Sequence, residues 1–198
     1  MSERSKLHLP GVARWLHTYC SLIGFAAVLF FAVTGLTLNH ASWFESGSAR
    51  ERTQTLALPS RLASGENAPD LEALERWARA EFGLHGDVDD SSQDKRRGSI
   101  VFKGPGYSAE VTLDFEKSTA RLRETKLNAW AMLDDLHKGR DSGGVWAWVI
   151  DICAVVIGVS ALTGIWLLFY VKRRRAAGLV VTVIGLIVLA LVAWIWTP

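Results

Sequence analysis

The stretch from Arg14 to His40, RWLHTYCSLIGFAAVLFFAVTGLTLNH, constrains what the rest of the chain can become. Between Ser21 and Leu38 no residue is charged. At about 1.5 Å per residue that run makes roughly 27 Å of helix, close to the hydrocarbon thickness of a bilayer. A histidine stands at each end, His17 where the run begins and His40 just past its close. Helix rise separates them by about 34 Å, which puts them near opposite membrane faces. A third histidine, His137, precedes the next apolar run.

Two more stretches are long and apolar enough to span, 145–171 and 178–198. They flank Lys172, Arg173, Arg174 and Arg175, a basic cluster that the positive-inside rule places in the cytoplasm. Arg4, Lys6 and Arg14 ahead of the first span, against a lone Glu3, agree with it. The expected topology is a cytoplasmic N-terminus, residues 41–140 on the periplasmic side and a periplasmic C-terminus. With a formal net charge of only +2, the basic residues read as topology signals and nucleic acid is not indicated as a partner. A cleaved signal peptide is the rival for the first span, but the run is long for an h-region and LTLNHASW has no small residue three before Ala41. An anchor is therefore expected. Cys20 and Cys153 fall toward opposite faces, so no disulfide is expected between them.

Residues 1–13 form a short lead and 14–40 the first span. Residues 41–67 read as a polar connection, rich in Ser, Arg, Gly and Ala beyond residue 45. An α+β unit follows over 68–126. Pro69-Asp70 opens an amphipathic helix with Leu71, Leu74, Trp77, Ala78 and Phe82 on one side, closed by Gly83 and Gly86. Three strands are expected at Ser99–Lys103, Tyr107–Phe115 and Ala120–Lys126, with a further short one near Leu84–Val88 and a polar turn over HGDVDDSSQDKRRG. Residues 127–144 are a helical approach to the membrane, 145–171 the second span, 172–177 the basic loop and 178–198 a third, packing span. The fold class is thus a three-span helical membrane protein with a small extracytoplasmic α+β domain inserted between the first two spans.

Chemistry-bearing residues are few. His40 and His137 lie at the outer ends of the first two spans, where helix packing could bring them together, and each imidazole can take one axial position of a haem iron. Trp43, Trp130, Trp146 and Trp148 around them suit a macrocycle, and equally any membrane interface. His17 has no histidine opposite it in the later spans; a second haem there would need His8 or the His17 of another copy. His17, Gly24 and Gly35 share a helix face, a lane that admits something flat or another backbone. His85 reads as a surface residue. Asp134, Asp135 and Asp141 near His137 could bind a divalent cation, but carboxylates at an exposed turn are usually just solvated. There is no phosphate loop, HExxH motif or nucleophile elbow.

The stretches RWLHTYCSLIGF, TGLTLNH and DDLHKGRDSGGVWAWVIDICAVVIGVSALTGIWL, around a helix-and-strand middle, resemble the PepSY-associated transmembrane proteins of bacteria, and cover most of residues 12–170. Larger relatives include ferric-siderophore reductases of the inner membrane. The resemblance implies a PepSY-like module at 68–126, b-type haem held by His17, His40 and His137, and Arg140 and Asp151 beside them as shell residues. It implies electron transfer through the inner membrane toward a periplasmic acceptor, ferric iron or siderophore or a flavoprotein. The chain has three spans where the reductases have four or more, and carries no flavin or nicotinamide fingerprint. Any flavin therefore sits on a separate electron donor, and a homodimer, or His8, would complete the site at His17. PepSY modules elsewhere are linked to protease inhibition, so the alternative function is a non-enzymatic membrane protein that binds or inhibits an extracytoplasmic partner.

Overall fold

A computed structural model of the chain describes residues 9–44, 49–63 and 70–196. It divides into two compact units, one made of residues 1–30 with 151–198 and the other of residues 31–150. Three helices are long and apolar enough to cross a membrane. These are α1 (Leu9–Asn39), α6 (Gly143–Leu168) and α7 (Arg175–Trp196). Few of their side chains are buried within the protein itself, as expected where lipid is the solvent for the apolar surface.

In the second unit, α2 (Ala41–Phe44) is a single turn after α1, and β1 (Arg50–Ala57) and α3 (Ser60–Ala63) follow. Helix α4 (Leu71–Phe82) has Asp70 as N-cap, its carboxylate accepting from the Glu72 amide, and Gly83 in the left-handed conformation as its stop. Strands β2 (Asp87–Gln93), β3 (Arg97–Gly104), β4 (Tyr107–Asp114) and β5 (Thr119–Lys126) complete a five-stranded antiparallel sheet in the order β1-β5-β4-β3-β2. Alternation decides which side is covered: Ile100, Phe102, Val111, Leu113 and Leu122 are buried with Leu74, Ala78 and Phe82 of α4. Each of these Ile, Phe, Val and Leu side chains contributes about 1.5–3 kcal/mol by burial. The opposite face, with Thr53, Thr55, Thr112, Arg121 and Arg123, is exposed.

Two expectations change. The polar connection of 41–67 contains an edge strand, β1, paired along its length with β5. The polar stretch read as a turn contains strand β2, with a register shift between Val88 and Asp90 where it pairs with β3. Three strands and a short fourth near Leu84–Val88 were legible; among the described residues there are five, and the fourth begins at Asp87 rather than Leu84. The chain then enters α5 (Ala129–Lys138), whose N-cap Asn128 accepts from the Ala131 amide and whose C-terminal Gly139 is left-handed.

Candidate functional site

Two histidines are each held against a neighbouring helix by the same device, once in each unit. In the first unit His17 leaves α1 toward α6. Its Nδ1 lies 2.8 Å from the Ser160 carbonyl and 3.3 Å from Thr163 Oγ1. A carbonyl only accepts, so Nδ1 carries the proton. Thr163 gives its own hydroxyl proton to Val159 or Ser160 oxygen, at 2.7 and 3.0 Å, and so also accepts from His17. The ring rests on Gly164: a Cβ there would stand 3.0 Å from His17 Cε1, 3.4 Å from Nδ1 and 3.8 Å from Nε2. Nε2 is thus the farthest of these three ring atoms from the glycine, and it makes no hydrogen bond among the described residues. One helical turn along, Ser21 and Ser160 hydroxyls meet at 2.7 Å, beside a groove of about 170 Å³ lined by Cys20, Gly24, Phe25, Val28 and Ile157.

In the second unit His137, in the last turn of α5, reaches the C-terminal end of α1. Its Nδ1 lies 2.6 Å from Thr34 Oγ1, its ring meets Phe31 edge-on at 5.2 Å, and a Cβ on Gly35 would stand 3.4 Å from its Cε1. Thr34 is 2% and Thr37 3% exposed, so these hydroxyls belong to the protein interior. Buried hydroxyls need partners. Thr37 donates to the Thr34 carbonyl and to Asp134 Oδ1, at 2.8 and 3.0 Å. The glycine lane of α1 is therefore occupied: Gly35 faces His137, and a Cβ on Gly24 would meet Val156 and Ile157 at 3.4 and 3.5 Å.

The other sequence candidates are placed differently. His40 follows the end of α1, its Nδ1 3.2 Å from the Leu36 carbonyl and its ring stacked on Trp43 at 4.1 Å. It stands six residues beyond Thr34, about 240° further round the helix. No hydrogen bond or ring contact joins His40 to His137 among the described residues. Arg140 follows the α5 cap, with its amide bonded to the Asp135 carbonyl and its side chain exposed. Asp151 is exposed on α6. His85 is exposed, with its ring 6.2 Å from Tyr107. Burial pushes the Tyr107 phenol above its ordinary range. His8 lies outside the described residues.

Asp134 and Asp135 are not merely solvated. Asp134 takes the Thr37 hydroxyl, while Asp135 Oδ2 accepts from the Gly106 amide of the β3–β4 hairpin at 2.9 Å. Thr34, Thr163 and Gly164 were missed in the sequence. The signal was there as a repeated dipeptide, Thr34-Gly35 in the first span and Thr163-Gly164 in the second.

Haem iron binds an imidazole nitrogen with a free lone pair, and ligating histidines ordinarily give their other N–H to a carbonyl or comparable acceptor. His17 meets that requirement with Ser160. His137, with Nδ1 on a buried hydroxyl, is compatible with it. Among the described residues no three His, Cys, Asp or Glu side chains converge as a metal cluster. The donor set is monodentate imidazole.

These features define a class: a multi-span membrane protein with a small α+β domain between its first two spans and single histidines seated between helices. The chain belongs to the PepSY_TM-like family, whose model matches residues 11–198. No curated protein and no solved structure matches it.

Proposed function

We propose that this chain is a haem-binding electron-transfer protein of the bacterial inner membrane, with its N-terminus cytoplasmic and the sheet domain and C-terminus periplasmic. The observation that carries the reading is the pair of seated imidazoles. His17 and His137 each have Nδ1 engaged by the neighbouring helix, leaving Nε2 for iron. Haem b, when bound, supplies a one-electron couple. The protein's part is to hold the imidazoles in one orientation and to surround them with apolar helix. His40 is the remaining candidate for a second outer ligand, and His17 of a second copy for the inner one. Electrons come from a separate donor, which carries any flavin, and leave toward ferric iron, a ferric siderophore or a flavoprotein on the periplasmic side.

Purification from haem-replete cells should give a coloured protein with b-type bands in the reduced-minus-oxidised spectrum. His137→Ala and His17→Ala should each remove haem, and His85→Ala should leave the spectrum unchanged. A colourless wild-type preparation overturns this reading.

The sheet favours a second reading. Its uncovered face sets Thr53, Thr55 and Thr112 among Arg121 and Arg123, a surface rich in hydrogen-bond donors. On that reading the chain is a non-enzymatic PepSY-type protein that holds an extracytoplasmic partner, and the pigment is absent.

A further inference from the structure

We infer that Thr34 and Gly164 are positioning residues that hold His137 and His17 as the Nδ1–H tautomer with Nε2 free, Thr34 as the partner of His137 Nδ1 and Gly164 by leaving the His17 ring room to reach the Ser160 carbonyl. This rests on the proposed reading for its ligand, haem iron, but not for its geometry. The His17 tautomer follows from Ser160, whose carbonyl at 2.8 Å can only accept. At His137 the partner is a hydroxyl, which can donate or accept. The repetition of the device decides between these. In both units an imidazole leaves one helix, lays the Cε1 side of its ring over a glycine of the next, and places Nδ1 on the threonine just before that glycine. His40 lacks this: its Nδ1 bonds within its own helix and its ring lies on an indole.

The two seats differ in which part matters, and that makes the inference testable. At His137, Thr34 is the only hydrogen-bond partner of Nδ1 among the described residues, whereas a Cβ on Gly35 would make ordinary contact at 3.4 Å. At His17, Thr163 is the weaker of two partners, and Ser160 remains without it. A Cβ on Gly164 would come to 3.0 Å of Cε1, closer than real Cβ atoms normally approach, so the ring must move. The expected order is therefore crossed. Thr34→Val should disturb His137 far more than Gly35→Ala does. Gly164→Ala should disturb His17 far more than Thr163→Val does.

The test is nitrogen NMR of histidine-labelled full-length chain in lipid nanodiscs, at about pH 8 where an ordinary histidine is neutral. Wild type should show the Nδ1–H tautomer at both residues. Thr34→Val should lose the single tautomer at His137, with Thr34→Ser restoring it, and Gly164→Ala should do the same at His17. Thr163→Val and Gly35→Ala should keep the wild-type signals. On haem-loaded protein the two disruptive variants should also shift the spectrum or lose pigment. An Nε2–H signal at His137 in wild type, or an unchanged His137 tautomer in Thr34→Val, overturns the inference. Equal disturbance by all four variants also overturns it, because that is what simple loss of helix packing produces. A colourless wild type with the expected tautomers overturns the haem reading alone.

Discussion

Glu124 takes a carboxylate into the sheet–helix core, 3% exposed between Ala109 and Arg52 in the sheet register. Arg52 stands 3.6 Å from one oxygen and Lys126 3.1 Å from the other. The Lys126 approach lacks hydrogen-bond geometry, leaving Oε1 without a bonded partner, so its attraction is Coulombic. Both cations are about half exposed and can turn to water if the carboxylate goes. Glu124→Ala should therefore cost roughly 1–3 kcal/mol, less than a pair whose survivor is trapped inside. Thermal unfolding of the sheet domain within the full chain would check this, with Glu124→Gln expected to cost about half as much by keeping the shape. Legibility at this scale was uneven. Histidines at the ends of apolar runs stand out because little else there is polar. The threonines that hold them do not, since a threonine in a span normally just bonds its own helix backbone. The aspartates of α5 were read as solvated for a related reason: nothing local shows that Gly106, 29 residues away, needs an acceptor.

The elements that hydrophobic periodicity could identify were those with a buried stripe. Helix α4 and strands β3, β4 and β5 each bury alternate or i, i+4 side chains, and their places in the chain were readable. Strand β1 was not, and β2 only at its start, in the short strand expected near Leu84–Val88, because they are the edges. RERTQTLA has few apolar side chains to bury, and DVDDSSQ has one. Charges and a register shift at a sheet edge discourage pairing with other chains, and the same features hide the strand from a pattern search. Helix α5 depends on the β3–β4 hairpin. Gly106 is left-handed at φ 66°, and a Cβ there would meet the Met132 side chain and backbone at 3.1–3.3 Å. Gly106→Ala combines backbone strain with this clash and should cost roughly 1–3 kcal/mol. Amide exchange should localise the loss to the hairpin and α5, and uniform loss across the whole sheet would contradict the assignment.

For the molecule as a whole, the three spans were legible from length and composition, since no soluble core demands runs of that kind. Their orientation rests on Lys172, Arg173, Arg174 and Arg175 between the second and third. A reporter fused after Pro198 should behave as periplasmic, and replacing all four basic residues with Gln should weaken that orientation. A cytoplasmic signal from the unmodified chain would put the sheet domain on the other side and remove the periplasmic acceptor from the proposal. What sequence could not supply at this scale was which histidines sit against which helix. That is settled by side chains more than 100 residues apart, as with Thr34 and His137.

Adjacent residues of α5 are committed to different bodies, Asp134 to the end of a membrane span and Asp135 to a hairpin of the sheet. One residue inserted or deleted in α5 ahead of them would turn both by about 100°. Between them it would turn one relative to the other. The sheet domain is therefore not a cassette that recombination can lift out at the end of β5. A graft joined there would inherit a helix cut for another hairpin. Exchange of such domains between relatives should succeed only where α5 travels with the sheet and Thr34 and Thr37 remain to receive it.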